Sequence, residues 1–485
     1  MPVLLVALLV ASAELPSQAA LEAALREALA GSCPGRAVSL DPDLTAGARA
    51  FVLAAAAGRA KPAGSALAFY ASLESAEPSP VAGVAIVSRP SQADRAVGDL
   101  FPKSCRFNRM GLAAATLEDG QAVVGALAAQ HDSNLARIPG RVATGATVPV
   151  SGHLAAGLSK PRLFVTRPDG AVEELKVWAR GADFSAEVAL PARGEHSIEV
   201  LAEGAGGPQV IAMRRVFAGA EPPDAPPKER KSAAQGLAAV EGAIDELRAA
   251  RGLPRLQRDP QLDAVAERHS AEMARTRTFA HVLESDGSLT DRLRKAGYAY
   301  RSAGENIGSA PDAVAAHEAV AGSPAHLSNL LDPRHRRLGL GLARGLSRDG
   351  SATLYLTEVL AAPVVGSRDP AADVAQILAA TRRKLKLPAL VRDEALDEVA
   401  RDEVAKRALR DSLVLPREVT ERVLDSDPSL RSAVGELIVG SAPEESASSR
   451  NLKEARWTRL GVGAIYASSK TYGPGRLWVL ILYGD

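Results

Sequence analysis

One passage of this chain is written twice, and that limits the fold more than any single motif. Leu262-Asp263-Ala264-Val265-Ala266 returns 134 residues later as Leu396-Asp397-Glu398-Val399-Ala400, and Leu253-Pro254 returns at the same offset as Leu387-Pro388. Gly304-Glu305 matches Gly435-Glu436. Ser309-Ala310-Pro311 matches Ser441-Ala442-Pro443, and Arg337-Leu338-Gly339-Leu340-Gly341 matches Arg459-Leu460-Gly461-Val462-Gly463. Agreement in order over this length makes residues 234–363 and 364–485 two copies of one domain plan. Fainter traces reach residues 14–133. Gly111-Leu112-Ala113 with Asp119-Gly120 matches Gly341-Leu342-Ala343 with Asp349-Gly350 at an offset of 230, and Asp41-Pro42-Asp43-Leu44 resembles Asp259-Pro260-Gln261-Leu262. A third, degenerate copy is expected there.

Between the copies the period changes. From 138 to 219, alternating or β-branched runs (142–154, 162–166, 171–178, 183–190, 195–201, 209–217) are divided by Pro168-Asp169-Gly170, Pro191–Gly194 and Gly204–Gly207. Short strands at this spacing predict an antiparallel β-sandwich. It resembles the immunoglobulin-like modules of bacterial secreted proteins but has no cysteine for an inter-sheet disulfide. His153 and His196 are read as surface or rim residues. Residues 220–233 form a Pro-rich charged linker, extended and semi-rigid. The fold class expected is multidomain α+β.

The first residues run Met1, an apolar stretch to Val10, then Ala11-Ser12-Ala13 and Glu14. This reads as a signal peptide cut after Ala13, although its n-region has no Lys or Arg. No later segment offers the ~20 apolar residues of a membrane span. In an exported chain the two cysteines, Cys33 and Cys105, are most simply one disulfide. Lys plus Arg exceed Asp plus Glu by one, 58 against 57, so no global field favours nucleic acid. At 4% aromatics the chain also lacks platforms for stacked bases.

Within 234–363, helices are expected over 239–251, from Asp259-Pro260 onward, over 289–297 and over 311–321. A Gly-Glu-Asn-Ile loop is expected at 304–307, and strands at 338–342 and 352–360. Leu262, Val265, Ala266, His269 and Met273 share one face, which makes His269 a satisfied core or cleft-edge residue. Two further histidines and a glutamate come from three separate contexts: Phe279-Ala280-His281, Gly304-Glu305-Asn306-Ile307 and Ser323-Pro324-Ala325-His326. Neutral imidazoles and a carboxylate are the usual ligands of Zn²⁺ or another divalent cation, and a Glu beside a metal-activated water could act as general base. The same three groups could equally form a buried hydrogen-bonded network. No His-Glu-x-x-His helix is present, and no Ser or Cys stands as an obvious nucleophile.

These motifs, with Asp286-Gly287, Asp291-Arg292-Leu293, Ala296-Gly297-Tyr298, Asn329-Leu330-Leu331 and Leu338-Gly339-Leu340-Gly341, resemble the bacterial CAP domain. This is the superfamily of cysteine-rich secretory, antigen 5 and pathogenesis-related proteins. The resemblance covers 234–363 and implies an α-β-α sandwich with a cleft lined by His281, Glu305 and His326. Eukaryotic relatives add a second Glu from the helix before the last His. Here that position falls near Ser323, while Glu318 and His317 lie a turn or two earlier and either could reach the cleft. Val320 stands where bacterial members carry Trp.

In the 364–485 copy, His281 aligns with Leu415, Glu305 with Glu436 and His326 with Ser448. Five of the chain's eight histidines lie in the middle unit and none in the last. The chemistry therefore belongs to the middle copy. The reading is an exported CAP-domain binding protein whose cleft takes a small, lipid-like or peptide ligand, with His281 and His326 as candidate metal ligands. The alternatives are a metal-dependent hydrolase with Glu305 as base, or an adhesive surface protein.

Overall fold

The computed structural model describes residues 14–32, 38–78, 80–100, 107–130, 133–227, 235–348, 350–363 and 369–485. The leader expected at 1–13 and the disulfide expected between Cys33 and Cys105 lie outside these residues. The architecture is multidomain α+β. No described helix is long and apolar enough to cross a membrane.

Three four-stranded sheets share one strand order. In the first unit it is β1 (Ser39–Leu40), β3 (Arg109–Thr116), β4 (Ala122–Ala129), β2 (Val81–Val87), with helices α1 (Gln18–Ser32), α2 (Pro42–Ala56), α3 (Gly64–Glu74) and α4 (Ala93–Val97). Strands β5 to β13 belong to the sandwich described below. The middle unit has β14 (Gln257–Arg258), β16 (Arg337–Leu346), β17 (Ala352–Pro363), β15 (Tyr300–Ala310). Its helices are α5 (Gly236–Ala249), α6 (Pro260–Thr276), α7 (Leu289–Lys295), α8 (Ala313–Gly322) and α9 (Pro324–Leu331). The last unit has β18 (Val391–Arg392), β20 (Arg459–Ser469), β21 (Gly473–Gly484), β19 (Ala433–Gly440), with α10 (Pro370–Lys384), α11 (Glu394–Arg410) and α12 (Arg417–Ser426).

The same residues build the corner each time. An aspartate caps the helix that follows the first short strand, Asp41 on α2, Asp259 on α6 and Asp393 on α11. Its carboxylate accepts N–H groups that a helix start would leave unpaired. Its own N–H donates across the sheet to Met110 O, Leu338 O or Leu460 O. The next strand residue is Gly111, Gly339 or Gly461. A Cβ there would fall 2.2 Å from Thr45 N, 2.2 Å from Leu262 C or 2.5 Å from Leu396 C, so only glycine lets helix and sheet close up. The pairing Ser39↔Arg109 therefore corresponds to Gln257↔Arg337. The true offset at the start of this strand is 228. The 230 match read from sequence holds only at the following turn, because β3 has eight residues where β16 has ten.

In the middle unit α6 and α7 pack Leu262, Val265, Ala266 and Leu293 on one face of the sheet. Val240, Ile244, Ala316, Val320 and Leu330 from α5, α8 and α9 cover the other. Gly304–Ile307 is not a loop but the middle of β15, in register with Leu360 to Thr357 of β17. Small residues and a Glu hid the strand because its neighbours, not its own propensity, hold it.

Residues 134–218 form two sheets packed face to face. One has the order β10 (Trp178–Arg180), β11 (Asp183–Ala189), β7 (Thr147–His153), β5 (Asn134–Leu135). The other runs β6 (Arg141–Val142), β13 (Gly207–Ala218), β12 (Gly194–Gly204), β8 (Ser159–Thr166), β9 (Val172–Leu175). His153 is exposed, with its Nδ1 2.7 Å from Asp183 Oδ1. His196 is not a rim residue. It is fully buried, since strand alternation places it with Ile198 and Val200 on the core face.

Candidate functional site

The middle unit's polar site grows from β15. Glu305 is buried, and its two oxygens are both engaged. Oε1 accepts from His281 Nδ1 at 3.0 Å, and Oε2 accepts from the Arg292 guanidinium of α7. Arg292 is itself buried and also donates to His281 O at 3.2 Å and Gly287 O at 2.7 Å. His269 of α6 stands between two carboxylates, with Nδ1 2.7 Å from Asp286 and Nε2 3.9 Å from Glu305 Oε1. Asp286 closes the ring 3.5 Å from Arg292. Burial alone would raise the Glu305 carboxyl. The His281 hydrogen bond and the charges of His281, Arg292 and His269 outweigh it and hold the group below the usual carboxylate range.

His326 arrives from the first turn of α9, its ring centroid 5.9 Å from that of His281. Burial, then repulsion from His281, pushes its pKa down to about 3. The ring is therefore neutral, and its Nδ1 is sealed from solvent without a partner. Behind these groups lies a second layer. Asn329 of α9 donates to Asn306 Oδ1 at 2.9 Å, Asn306 donates to Glu358 at 3.0 Å, and His317 lies 2.7 Å from the other Glu358 oxygen. His317 thus sits in the cleft's supporting layer, tied to Glu358, whereas Glu318 faces solvent.

His281, Glu305 and His326 converge, as the motifs imply. Arg292, Asp286, Glu358 and Glu199 were missed. Arg292 and Asp286 lie inside quoted motifs and had a signal in their charge. Glu199 had none, because it belongs to the sandwich. It is fully buried on the outer face of β12, where its carboxylate accepts from Ser323 Oγ at 2.6 Å and from Ala325 N at 2.7 Å. Ser323 is the position where the resemblance leads one to look for a second Glu, and here its hydroxyl receives a carboxylate from another domain.

As arranged, the donors do not fit a divalent cation. Glu305 is already neutralised by Arg292, whose charge would repel a metal. Among the described residues, no three His, Cys, Asp or Glu side chains converge as ligands. Burial and neighbouring charges move Glu305 and His326 both downward, away from neutral pH.

A model of the cysteine-rich secretory protein (CAP) family matches residues 242–358. The middle unit is a CAP domain. Over 117 residues it is 32% identical to the uncharacterized protein YkwD of Bacillus subtilis; the match takes in 23% of this chain and 45% of that protein, so the chain spans under half of its curated relative. Among solved structures, an extracellular SCP-domain protein of Bacillus anthracis is 20% identical (44% of this chain, 77% of that one, TM-score 0.23). A cysteine-rich secretory protein of Staphylococcus aureus is 15% identical (44% and 75%, TM-score 0.21).

In the last unit, the glutamate equivalent to Glu305 has different work. Glu436 pairs with Ile481 across the sheet as Glu305 pairs with Val359. It accepts from Ser449 Oγ, from the N–H groups of Arg450 and Asn451, and from Asn451 Nδ2. Leu415 packs on Gly435 in place of an imidazole, and Ser448 donates to Glu445 O.

Proposed function

We propose that this is an exported CAP-domain protein whose middle cleft binds an extended, carboxylate-bearing polypeptide segment. Export rests on the leader pattern at Met1–Ala13. The observation that supports the ligand class is what the cleft margin already does. Next to His281, the Val282 N–H donates to the main-chain oxygen of Gly206 at 2.9 Å. One wall away, the first turn of α9 takes the Glu199 carboxylate. Backbone pairing and carboxylate capture at a helix start are recurrent ways of holding peptides. Hydrolysis is not part of the proposal, because both Glu305 oxygens are engaged by His281 and Arg292.

The test uses a fluorescein-labelled peptide of the sequence from Glu199 to Val210, titrated by anisotropy into the full chain and into its Glu199→Ala variant. Saturable binding to at least one of them, lost in the His281→Ala/His326→Ala background, is expected. Absence of binding to both, or equal binding to the cleft variant, removes the reading.

A further inference from the structure

The sandwich does more than adjoin the CAP domain; its β12–β13 hairpin lies over the His281 segment and the start of α9. Strand β12 carries Glu199 onto the start of α9. The turn that links β12 to β13, at Ala205-Gly206, lies over Ala280, His281 and Val282. A Cβ on Gly206 would stand 3.1 Å from Ala280 Cβ, and one on Gly207 would stand 3.1 Å from His281 Cβ. Gly207 has φ +90°, so glycine meets both the turn geometry and the close approach. Glu199 is the costly element of this contact. A carboxylate on the outer face of a sheet would normally be hydrated, yet here it is fully buried. Among the described residues its partners there are two donors at the start of α9, Ser323 Oγ and Ala325 N. Burial, opposed by those two hydrogen bonds, raises its pKa to about 7. A permanent packing surface gains little from such a group, because an apolar residue would fill the space at lower cost. A surface that must release keeps it, since the carboxylate is readily rehydrated on leaving.

We propose that the β12–β13 hairpin, anchored by Glu199, is an intramolecular occupant of the CAP cleft, which an outside acidic polypeptide segment must displace in order to bind. This rests on the polypeptide reading of the cleft. Tethering gives the occupant a high effective concentration, so an outside ligand competes poorly until the hairpin lifts. The anchor holds the α9 wall and the turn holds the Ala280–Val282 wall, and β12 joins the two, so losing the Glu199 anchor loosens both.

Histidine carbethoxylation of the full chain by diethyl pyrocarbonate, read by peptide mass spectrometry, tests this without any ligand, so it fails or succeeds separately from the peptide titration. Exposed His153 serves as the rate standard and buried His269 as the check that the CAP domain is folded. In the native chain His281 and His326 label slowly. In Glu199→Ala they label about tenfold faster or more, the loss of two buried hydrogen bonds, while His269 stays protected. A second variant, Gly206→Cys/Ala280→Cys, places two thiols within a small shift of disulfide geometry. Oxidised, it labels at or below the native rate and admits no labelled peptide; reduced, it returns to native behaviour. Unchanged labelling in a folded Glu199→Ala chain, or full peptide binding to the oxidised lock, would overturn the proposal.

Discussion

The middle and last units carry the same frame around different centres. In both, a buried arginine ties the first helix to the far loop. Arg248 donates to the carbonyls of Pro254, Leu330, Asp332 and His335, and Arg382 donates to those of Pro388, Leu452, Glu454 and Trp457. In both, an aspartate bonded to an arginine accepts a strand N–H: Asp263 from Leu340 and Asp397 from Val462. What differs is the glutamate at the centre. Glu305 is surrounded by His281, Arg292 and His269, whereas Glu436 closes a short turn at 449–451. Where Asn306 and Glu358 face each other across β15 and β17, the last unit has Leu437 and Leu480. The fold therefore does not require the polar network, and its presence in one copy alone argues for a task beyond packing.

The largest effect that separates the copies is removal of the central glutamate. Glu305→Leu leaves Arg292 buried without its carboxylate and should cost the middle unit about 3–5 kcal/mol. Glu436→Leu removes only a cap and should cost the last unit about 1–2 kcal/mol. Hydrogen exchange resolved by unit measures both, because one global melt of a multidomain chain would merge them. Equal losses would erase the distinction.

Acid should sharpen it. The Glu305 carboxyl is held low in the folded state, so its contribution is present above about pH 4.3–4.5 and is lost as pH falls through the folded value. His326 has its folded pKa lowered to about 3, so folding favours its neutral form and stability declines as pH drops from about 6.5. Both act in one direction, and the middle unit should open under mild acid. Docking of the sandwich runs the other way. Glu199, raised to about 7, binds a proton more readily when docked, so docking weakens as pH rises from about 4.5 through 7. The groups that face it are Ser323 and Ala325 from α9, with Phe164 and Met213 beside it on the flanking strands, and no charged group is among the causes of its shift. Exchange at pH 8 against pH 6 should show looser α9 amides at the higher value.

The smallest effect should come from metal. Excess Zn²⁺ added to the full chain should leave exchange in both units unchanged, because Glu305 is committed to Arg292. Protection gained in the middle unit alone, and abolished by His281→Ala/His326→Ala, would reinstate a metal site.

The sequence made the repeated frame legible because its marks are local. A capping Asp before Pro and a Gly where helix meets strand each state their own geometry. β15 escaped notice because its Gly-Glu-Asn core is strand only through its neighbours. The inward face of β12 was readable from Ile198 and Val200, yet His196 was assigned to the rim on residue type. Of the site, His281, Glu305 and His326 were legible through ordered motifs. Glu199 was not, since a lone Glu on an outward strand face looks solvated until the domain that covers it is in place.

The most direct test of the central claim, that the CAP cleft holds polypeptide and is filled by the chain's own β12–β13 hairpin, is hydrogen exchange at the Val282 amide. This N–H donates to Gly206 O and to no helix or sheet of its own domain. The account requires Val282 to be protected in the native chain and to exchange about tenfold faster or more in Glu199→Ala, with the β15 amides of the same unit unmoved. Identical Val282 protection in the two folded proteins would contradict it.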